Sequence, residues 1–307
     1  MSSVMLARTG AFAYAKYGWE STFKAGSSTR NKVFGRGQRV VSITRNENAE
    51  KIQELGERPA LLIVYKAFEG SATFDFYVSN PWIFKAVMGN VSTSGTGPYT
   101  HTFTLSKLPP SMEIEIGFQG SGGNVVRLLR GAVVNSFSLT AAVNEIVRGR
   151  LDVLFADEVE GASLSSPLVD TFDPFVFQHG TLEIPAGNPI AEVQSFDLNI
   201  ANNALMVWGL GDIKASSAVW QFFDPTGRIS VTMKNREFLN KLRTVDSGGA
   251  LRLVFSPNHQ IIFNFADIGY GEHTVGYEPN ALVVEEVPIL LRHVTSIQAI
   301  NNVASVP

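Results

Sequence analysis

The stretch "EGSATFDFYVSNPWIFKAV", Glu69 to Val87, changes its hydrophobic period half way along. Ala72, Phe74, Phe76 and Val78 alternate with Thr73, Asp75 and Tyr77, the two-residue beat of a half-buried strand. After Asn80 and Pro81, the apolar residues Ile83, Phe84 and Val87 follow at helical spacing, and Asn-Pro at that point predicts a helix opening there. "TGRISVTMKNREFLNKL", Thr226 to Leu242, makes the same switch: Asn80, Ile83, Phe84 and Val87 map onto Asn235, Phe238, Leu239 and Leu242 at one offset of 155. A chain that needs one strand-to-helix device twice is predicted to be built from two copies of one plan.

The flanking segments extend the correspondence. Gly70 to Asn80 spans ten residues and Gly227 to Asn235 eight, a difference of two that keeps the strand's face. Upstream, "RVVSIT" from Arg39 matches "QSFDLNI" from Gln194. Downstream, "EIEIGF" (from Glu113) parallels "ALRLVF" (from Ala250), and "VVRLLRGAVVNSFSL" (from Val125) parallels "IIFNFADIGYGEH" (from Ile261). "RLDVLF" (from Arg150) parallels "EVPILL" (from Glu286), so that Leu151, Val153 and Phe155 fall on Val287, Ile289 and Leu291, and this second part keeps an offset of 136 or 137.

Each half therefore reads as strand, strand, short helix, strand, long bent strand, strand. The expected fold is mainly β: two tandem antiparallel sandwiches or partial barrels, each with one short helix. The expected organisation is an N-terminal arm over 1–38, a first repeat over 39–160 with a hairpin insertion at 89–112, a linker over 161–190, a second repeat over 191–300 and a tail over 301–307. Within the insertion Tyr99, His101, Phe103 and Leu105 alternate with threonines, which suits an exposed strand that another chain could pair with. On that reading, deleting 92–106 leaves a folded subunit that no longer polymerises.

Composition narrows the function. With 307 residues, 45% of them hydrophobic, the chain can bury a large core. The absence of cysteine removes disulfide frameworks, thiol nucleophiles and Cys-based metal sites. No run approaches the ~18 apolar residues of a membrane helix, and the N-terminus lacks a signal-like apolar core, so the expectation is a soluble protein made inside the cell, with no membrane partner. The net charge of −3 hides an asymmetry: residues 1–39 carry seven basic side chains against Glu20 alone, whereas no Lys or Arg lies between Arg150 and Lys214. A basic arm and an acidic middle could be complementary surfaces on neighbouring copies, or solvated faces that cluster by chance.

Catalytic patterns are missing. The five histidines lack metal-ligand spacing, "QGSGGN" (Gln119 to Asn124) reads as a hairpin turn, and no GxSxG elbow occurs. Adjacent carboxylates such as Asp157-Glu158 and Glu285-Glu286 point to opposite faces of a strand and cannot work as an acid/base couple. No cofactor and no enzyme activity are expected.

"YAKYGWESTFKAGSSTRNKVFG", "GSATFDFYVSNPWIFKAV", "GAVVNSFSLTAAVNEIVRGRLDVLF" and "SFDLNIANNALMVWGLG" resemble segments of the major tail tube proteins of long-tailed (siphovirus-like) bacterial and archaeal viruses, over roughly residues 10–300. The resemblance implies a virion structural protein, assembled in the host cytoplasm, whose sandwiches join edge to edge into an inner barrel. Such rings stack into a hollow conduit for genome delivery. Two halves favour a trimeric ring with pseudo-sixfold symmetry over a hexamer. Implied partners are further copies of the chain, tail terminator and baseplate or tip proteins, a tape measure protein, and double-stranded DNA that passes without specific binding.

On this reading the lumen-facing candidates are Thr73, Asp75, Ser136, Ser138, Thr140, Ser230 and Thr232. They present no positive charge that would hold phosphates back. Ordinary solvent-facing strand positions would look the same. Candidates for ring-to-ring contact are Arg30, Lys32 and Arg36 in the basic segment and Tyr99, His101, Phe103 and Leu105 in the insertion. An inner tube of a contractile injection machine is an alternative with the same fold. From another class, a carbohydrate-binding sandwich would expose aromatics, for which Trp19, Trp82, Trp208 and Trp220 are available in otherwise core-like contexts.

Overall fold

The structure, a computed structural model, describes residues 5–6, 15–56, 58–120, 123–161, 163–165, 172–234, 237–276 and 283–304. The first half contains β1 (Lys16–Trp19), β2 (Arg36–Asn46), a small hairpin of β3 (Glu50–Ile52) and β4 (Leu62–Val64), and β5 (Glu69–Tyr77). Helix α1 (Phe84–Met88) leads into β6 (Gly89–Ser94), β7 (Tyr99–Leu105), β8 (Met112–Gly120), β9 (Gly123–Ala142), β10 (Arg148–Phe155) and β11 (Asp157–Glu160). The second half contains β12 (Gly180–Glu183), β13 (Val193–Ala201), a hairpin of β14 (Ala204–Val207) and β15 (Ser217–Trp220), β16 (Asp224–Thr232) and helix α2 (Glu237–Lys241). It ends with β17 (Gly249–Ser256), β18 (His259–Tyr270), β19 (Thr274–Gly276) and β20 (Val284–Asn301).

The protein is mainly β, as expected, with one large antiparallel sheet and, among the described residues, no closed barrel. Alternation decides how that sheet folds over. In β5 the side chains of Ala72, Phe74 and Phe76 are buried while Thr73, Asp75 and Tyr77 stay half-exposed, and β10 repeats the pattern with Leu151 and Val153. Such a face leaves water only by packing on a second layer. The long strands β9 and β20 serve both layers. Residues 133–140 of β9 pair with β10, and residues 112–120 of β8 take the other end of β9. Between the layers Phe84 of α1 meets the rings of Phe103, Phe137 and Phe263 edge-on, at 5.4–6.1 Å between centroids. One hydrophobic cluster runs through both halves.

Pairings in the two halves recur at fixed separations. Phe74 lies opposite Leu151, and Ile229 opposite Val287, at separations of 155 and 136. Ser42 opposite Thr73 becomes Asp197 opposite Arg228, and in the small hairpins Ile52 opposite Leu62 becomes Val207 opposite Ser217. Left-handed backbone recurs at Gly37 and Glu192, at Asn48 and Asn203, and at Gly131 and Asp267. Asn48 Nδ2 donates to the Ala67 carbonyl at 2.8 Å, and Asn203 Nδ2 to the Phe222 carbonyl at 2.7 Å, again 155 residues on. Gly227 therefore matches Ala72, whose partners Ile289 and Val153 also correspond, and not Gly70.

Several expectations are corrected. Helix α1 begins at Phe84, after a turn over 81–83, and the residue before it offers no side-chain cap. Asn80 instead donates its amide to the Val33 carbonyl and accepts from the Trp82 N–H, which ties the turn to the neighbouring chain segment. Asn235 lies outside the described residues. The segment 1–38 is not a free arm, because β1 pairs with Met112–Glu115 of β8. Nor is 161–190 a plain linker, since β12 adds to β17.

The insertion does form a hairpin, β6 with β7, but β7 is held on both sides, by β6 and by Ile297–Asn301 of β20. His101 and Phe103 are fully buried. Among the described residues the open edge belongs to β6, so removing 92–106 would expose the core and not merely a contact surface.

Candidate assembly surface

Eight strand segments form a continuous curved array in the order β2, β5, β10, β9, β13, β16, β20, β19. One face of the array is the core face. The other is open, and cross-strand neighbours on it can be followed in rows. Asp75 lies opposite Arg150, Arg150 opposite Ser138, and Ser138 opposite Asn199. One row along, Thr73 leads to Asp152, Ser136 and Ala201. On the far side Asp197, Arg228 and Pro288 align, as do Ser195, Ser230 and Glu286. All seven residues proposed from the sequence as lumen-facing stand on this open face.

Their hydroxyls are used locally. Thr73 Oγ1 and Ser136 Oγ donate to the two oxygens of Asp152 at 2.6 and 2.9 Å, and Thr140 Oγ1 donates to Asp197 at 2.7 Å. Thr232 Oγ1 accepts from Gln194 Nε2 at 3.1 Å. These bonds fix the rotamers of a polar surface that remains wetted on its other side.

The seven positions carry no positive charge, but the face around them does. Arg39, Arg148, Arg150 and Arg228 stand among the named residues. Each has a carboxylate within 4 Å: Arg39 with Asp75 at 2.9 Å, Arg148 with Glu145 at 3.6 Å, Arg150 with Asp152 at 3.8 Å and Arg228 with Glu286 at 3.2 Å. An open groove of about 440 Å³ runs past Arg39, Asp75, Ser138, Thr140 and Arg150. Because the charges alternate and neutralise one another, the face offers phosphates no uncompensated cationic stripe. The signal was present in "RGRLDVLF", where Arg148, Arg150 and Asp152 alternate with the buried positions. Among the described residues no three of His, Asp and Glu converge as a metal site would require.

The array ends in two unsatisfied borders. Among the described residues β2 pairs only with β5, and β19 only with β20. Inside the chain, by contrast, β9 and β13 are zipped together from Ser136 opposite Ala201 to Ala142 opposite Ser195, joining the two halves. Unpaired strand borders in a stable protein are positions for association.

The residues proposed for ring-to-ring contact are placed differently from one another. Arg30 bonds Glu115 at 2.9 Å and Glu113 at 2.8 Å. Burial would lower its guanidinium, but those two carboxylates outweigh burial and raise it. Lys32 is buried, and burial followed by the charge of Lys85 lowers its ammonium. Arg36 donates to the Phe172 carbonyl at 3.0 Å. His101 Nδ1 meets Thr93 Oγ1 at 2.8 Å and Phe103 sits in the core, while Tyr99 and Leu105 are half-buried. Among the described residues much of the basic segment is thus used within the chain, and part of the charge complementarity read from sequence is intramolecular, as Lys24 with Asp212 at 3.4 Å shows.

Sequence reading also passed over the hairpin of β3 and β4. It carries Ile52, Leu55, Leu61, Leu62, Ile63, Val64 and Tyr65, all more than a third exposed.

Among curated proteins none matches the sequence significantly. A protein-family model described as phage tail tube protein matches residues 10–288, which takes in the whole open-faced array up to the middle of the β16–β20 pairing. The chain belongs to the phage tail tube protein family, and is a structural protein of the virion tail.

Proposed function

We propose that three copies of the chain close a ring, that rings stack into the tail tube, and that the open face of the eight-strand array lines the conduit through which double-stranded DNA passes. The halves 39–160 and 191–300 act as two quasi-equivalent tube units, giving pseudo-sixfold character to a threefold ring. The observation that carries this is the pair of unpaired borders flanking an array whose internal seam, β9 with β13, already joins one half to the other. A seam repeated between copies would pair every border and remove the association liability by closure.

The internal seam also supplies the register. Ser138 opposite Asn199 translates, by the separations of 136 and 155 found throughout the chain, into Thr274 of one copy opposite Thr44 of the next. The balanced Arg–carboxylate pairs on the face suit passage without capture, and stacking, tail terminator, tip or baseplate and tape measure contacts belong to the same reading. Negative-stain images of the purified protein test it: threefold rings or tubes with six lobes are expected, and a monomer that persists at high concentration refutes it. In the cysteine-free chain, Thr44→Cys with Thr274→Cys should oxidise to a covalent closed trimer.

A further inference from the structure

The two small hairpins have the same register 155 residues apart but opposite surroundings. In the second half, β14 and β15 lie down on the shoulder of the first half. Met206, Ala215 and Ala218 are buried there against Val133 and Ala156, with Leu154 packed alongside. Trp220 Nε1 donates to the Val134 carbonyl at 3.0 Å, the Ala204 N–H to Asn135 Oδ1 at 3.0 Å, and Lys214 pairs with Asp157 at 2.7 Å. In the first half the positions matching Ala218 and Trp220 are Ile63 and Tyr65, and these are 55% and 68% exposed.

The matching shoulder is likewise uncovered. Val133 and Leu154 correspond to Gly269 and Leu290, and Leu290 is 60% exposed. At one position the sizes are exchanged in a complementary way, whereas the counterparts of Met206 and Ala156 are the longer Lys51 and Arg292. Where a small Ala218 meets a Val133, the larger Ile63 would meet Gly269, beside which a Cβ has no atom closer than 3.8 Å.

We infer that the β3–β4 hairpin docks on a second copy of this chain, on the shoulder formed by Gly269 to Gly271 and Leu290, as β14–β15 docks within the chain. This rests on the ring reading, and it adds a contact that strand pairing alone does not contain: an apolar strap laid across each junction between copies. The occupant is a neighbouring copy because the template is continuous with the internal seam. The Asn202 N–H that bonds the Asn135 carbonyl at 2.8 Å lies directly between seam and hairpin.

The test uses full-length chains carrying single cysteines. Ile63→Cys and a differently tagged Leu290→Cys are mixed, assembled and treated with a short bismaleimide. A mixed-tag dimer that neither variant forms alone supports the docking. Tubes without that dimer overturn it and leave the ring standing, whereas absence of any ring from unsubstituted protein overturns both. Cross-links of Ile63→Cys to another tail protein, or only between rings, also overturn it. As a second measurement, Ile63→Asp should keep its fold, since the position is open in the isolated chain, and should raise the concentration needed for assembly at least about tenfold. Assembly of Ile63→Asp at the unsubstituted concentration overturns the inference.

Discussion

Replacing Glu115 with Leu should destabilise this protein far more than replacing its partner Lys16 with Met. Both side chains are fully buried, with Lys16 Nζ 2.9 Å from Glu115 Oε1. Glu115 also accepts from Arg30 Nε at 2.9 Å and from the Ser165 N–H and hydroxyl at 2.8 and 2.9 Å. Glu115→Leu leaves the Lys16 ammonium buried with only the Ser165 carbonyl, and an uncompensated buried charge costs about 3–5 kcal/mol. Lys16→Met leaves the carboxylate with Arg30 and Ser165, so the loss is that of about one charged hydrogen bond, ~1.5–3 kcal/mol. The double replacement should cost less than the sum.

With a urea slope of about 3 kcal/mol/M for a chain of this size, Glu115→Leu lowers the midpoint by about 1–1.7 M. A shift below about 0.3 M, or a Lys16→Met loss as large as that of Glu115→Leu, refutes the reasoning. Acid supplies an independent arm. Burial pushes the Glu113 and Glu115 carboxyls up, but hydrogen bonds from Arg130, Ser27 and Arg30 for the first, and from Lys16, Arg30 and Ser165 for the second, outweigh burial and hold both below the ordinary 4.5. A depressed folded value contributes stability above the unfolded value and loses it as pH falls through the folded one. The unsubstituted protein should therefore lose stability below pH 4.5 more steeply than Glu115→Leu does.

Deleting 92–106 should abolish soluble folded protein, because it removes the fully buried Phe103 and the strand that borders β20; circular dichroism with a native-like melt from that deletion would contradict the placement of β7. Ser138→Lys should still assemble, since the position is on the open face, but virions carrying it should release DNA more slowly at low salt, with the delay shrinking as salt rises. Equal release rates at low salt would remove Ser138 from the conduit wall.

Alternation made much of this fold legible. Leu151 and Val153 fall on Val287 and Ile289 in the pairing as they do in the sequence, because a strand's phase is locked by which side must leave water. The separations of 155 and 136 survive in strand register for the same reason. Partners distant in sequence were not legible. Nothing local distinguishes β7, bordered on both sides, from a free threonine-rich edge, and nothing around Arg30 announces Glu113 and Glu115 more than 80 residues away. Arg150 and Arg228 could have been placed on the open face from alternation alone, but their carboxylates come from neighbouring strands or from two residues along.

The apolar run "LLIVY", Leu61 to Tyr65, shows where local reading ends and assembly begins. Taken alone, five exposed apolar residues on a two-stranded hairpin are a defect, since a hairpin of this size gains almost nothing from solvent burial by itself. Its counterpart at 216–220 packs through Ala218 against Val133 and Ala156 and is no defect. The register, the left-handed Asn and the amide-to-carbonyl bond are the same in both, so the difference is not in the backbone of the hairpins but in their side chains and in whether a shoulder within the chain lies beside them. On the proposed ring reading, two copies of one unit per chain in a three-membered ring make six seams, three inside chains and three between them. Viewed singly, such a chain must show one seam satisfied and one open, with a covered hairpin at the first and a bare one at the second.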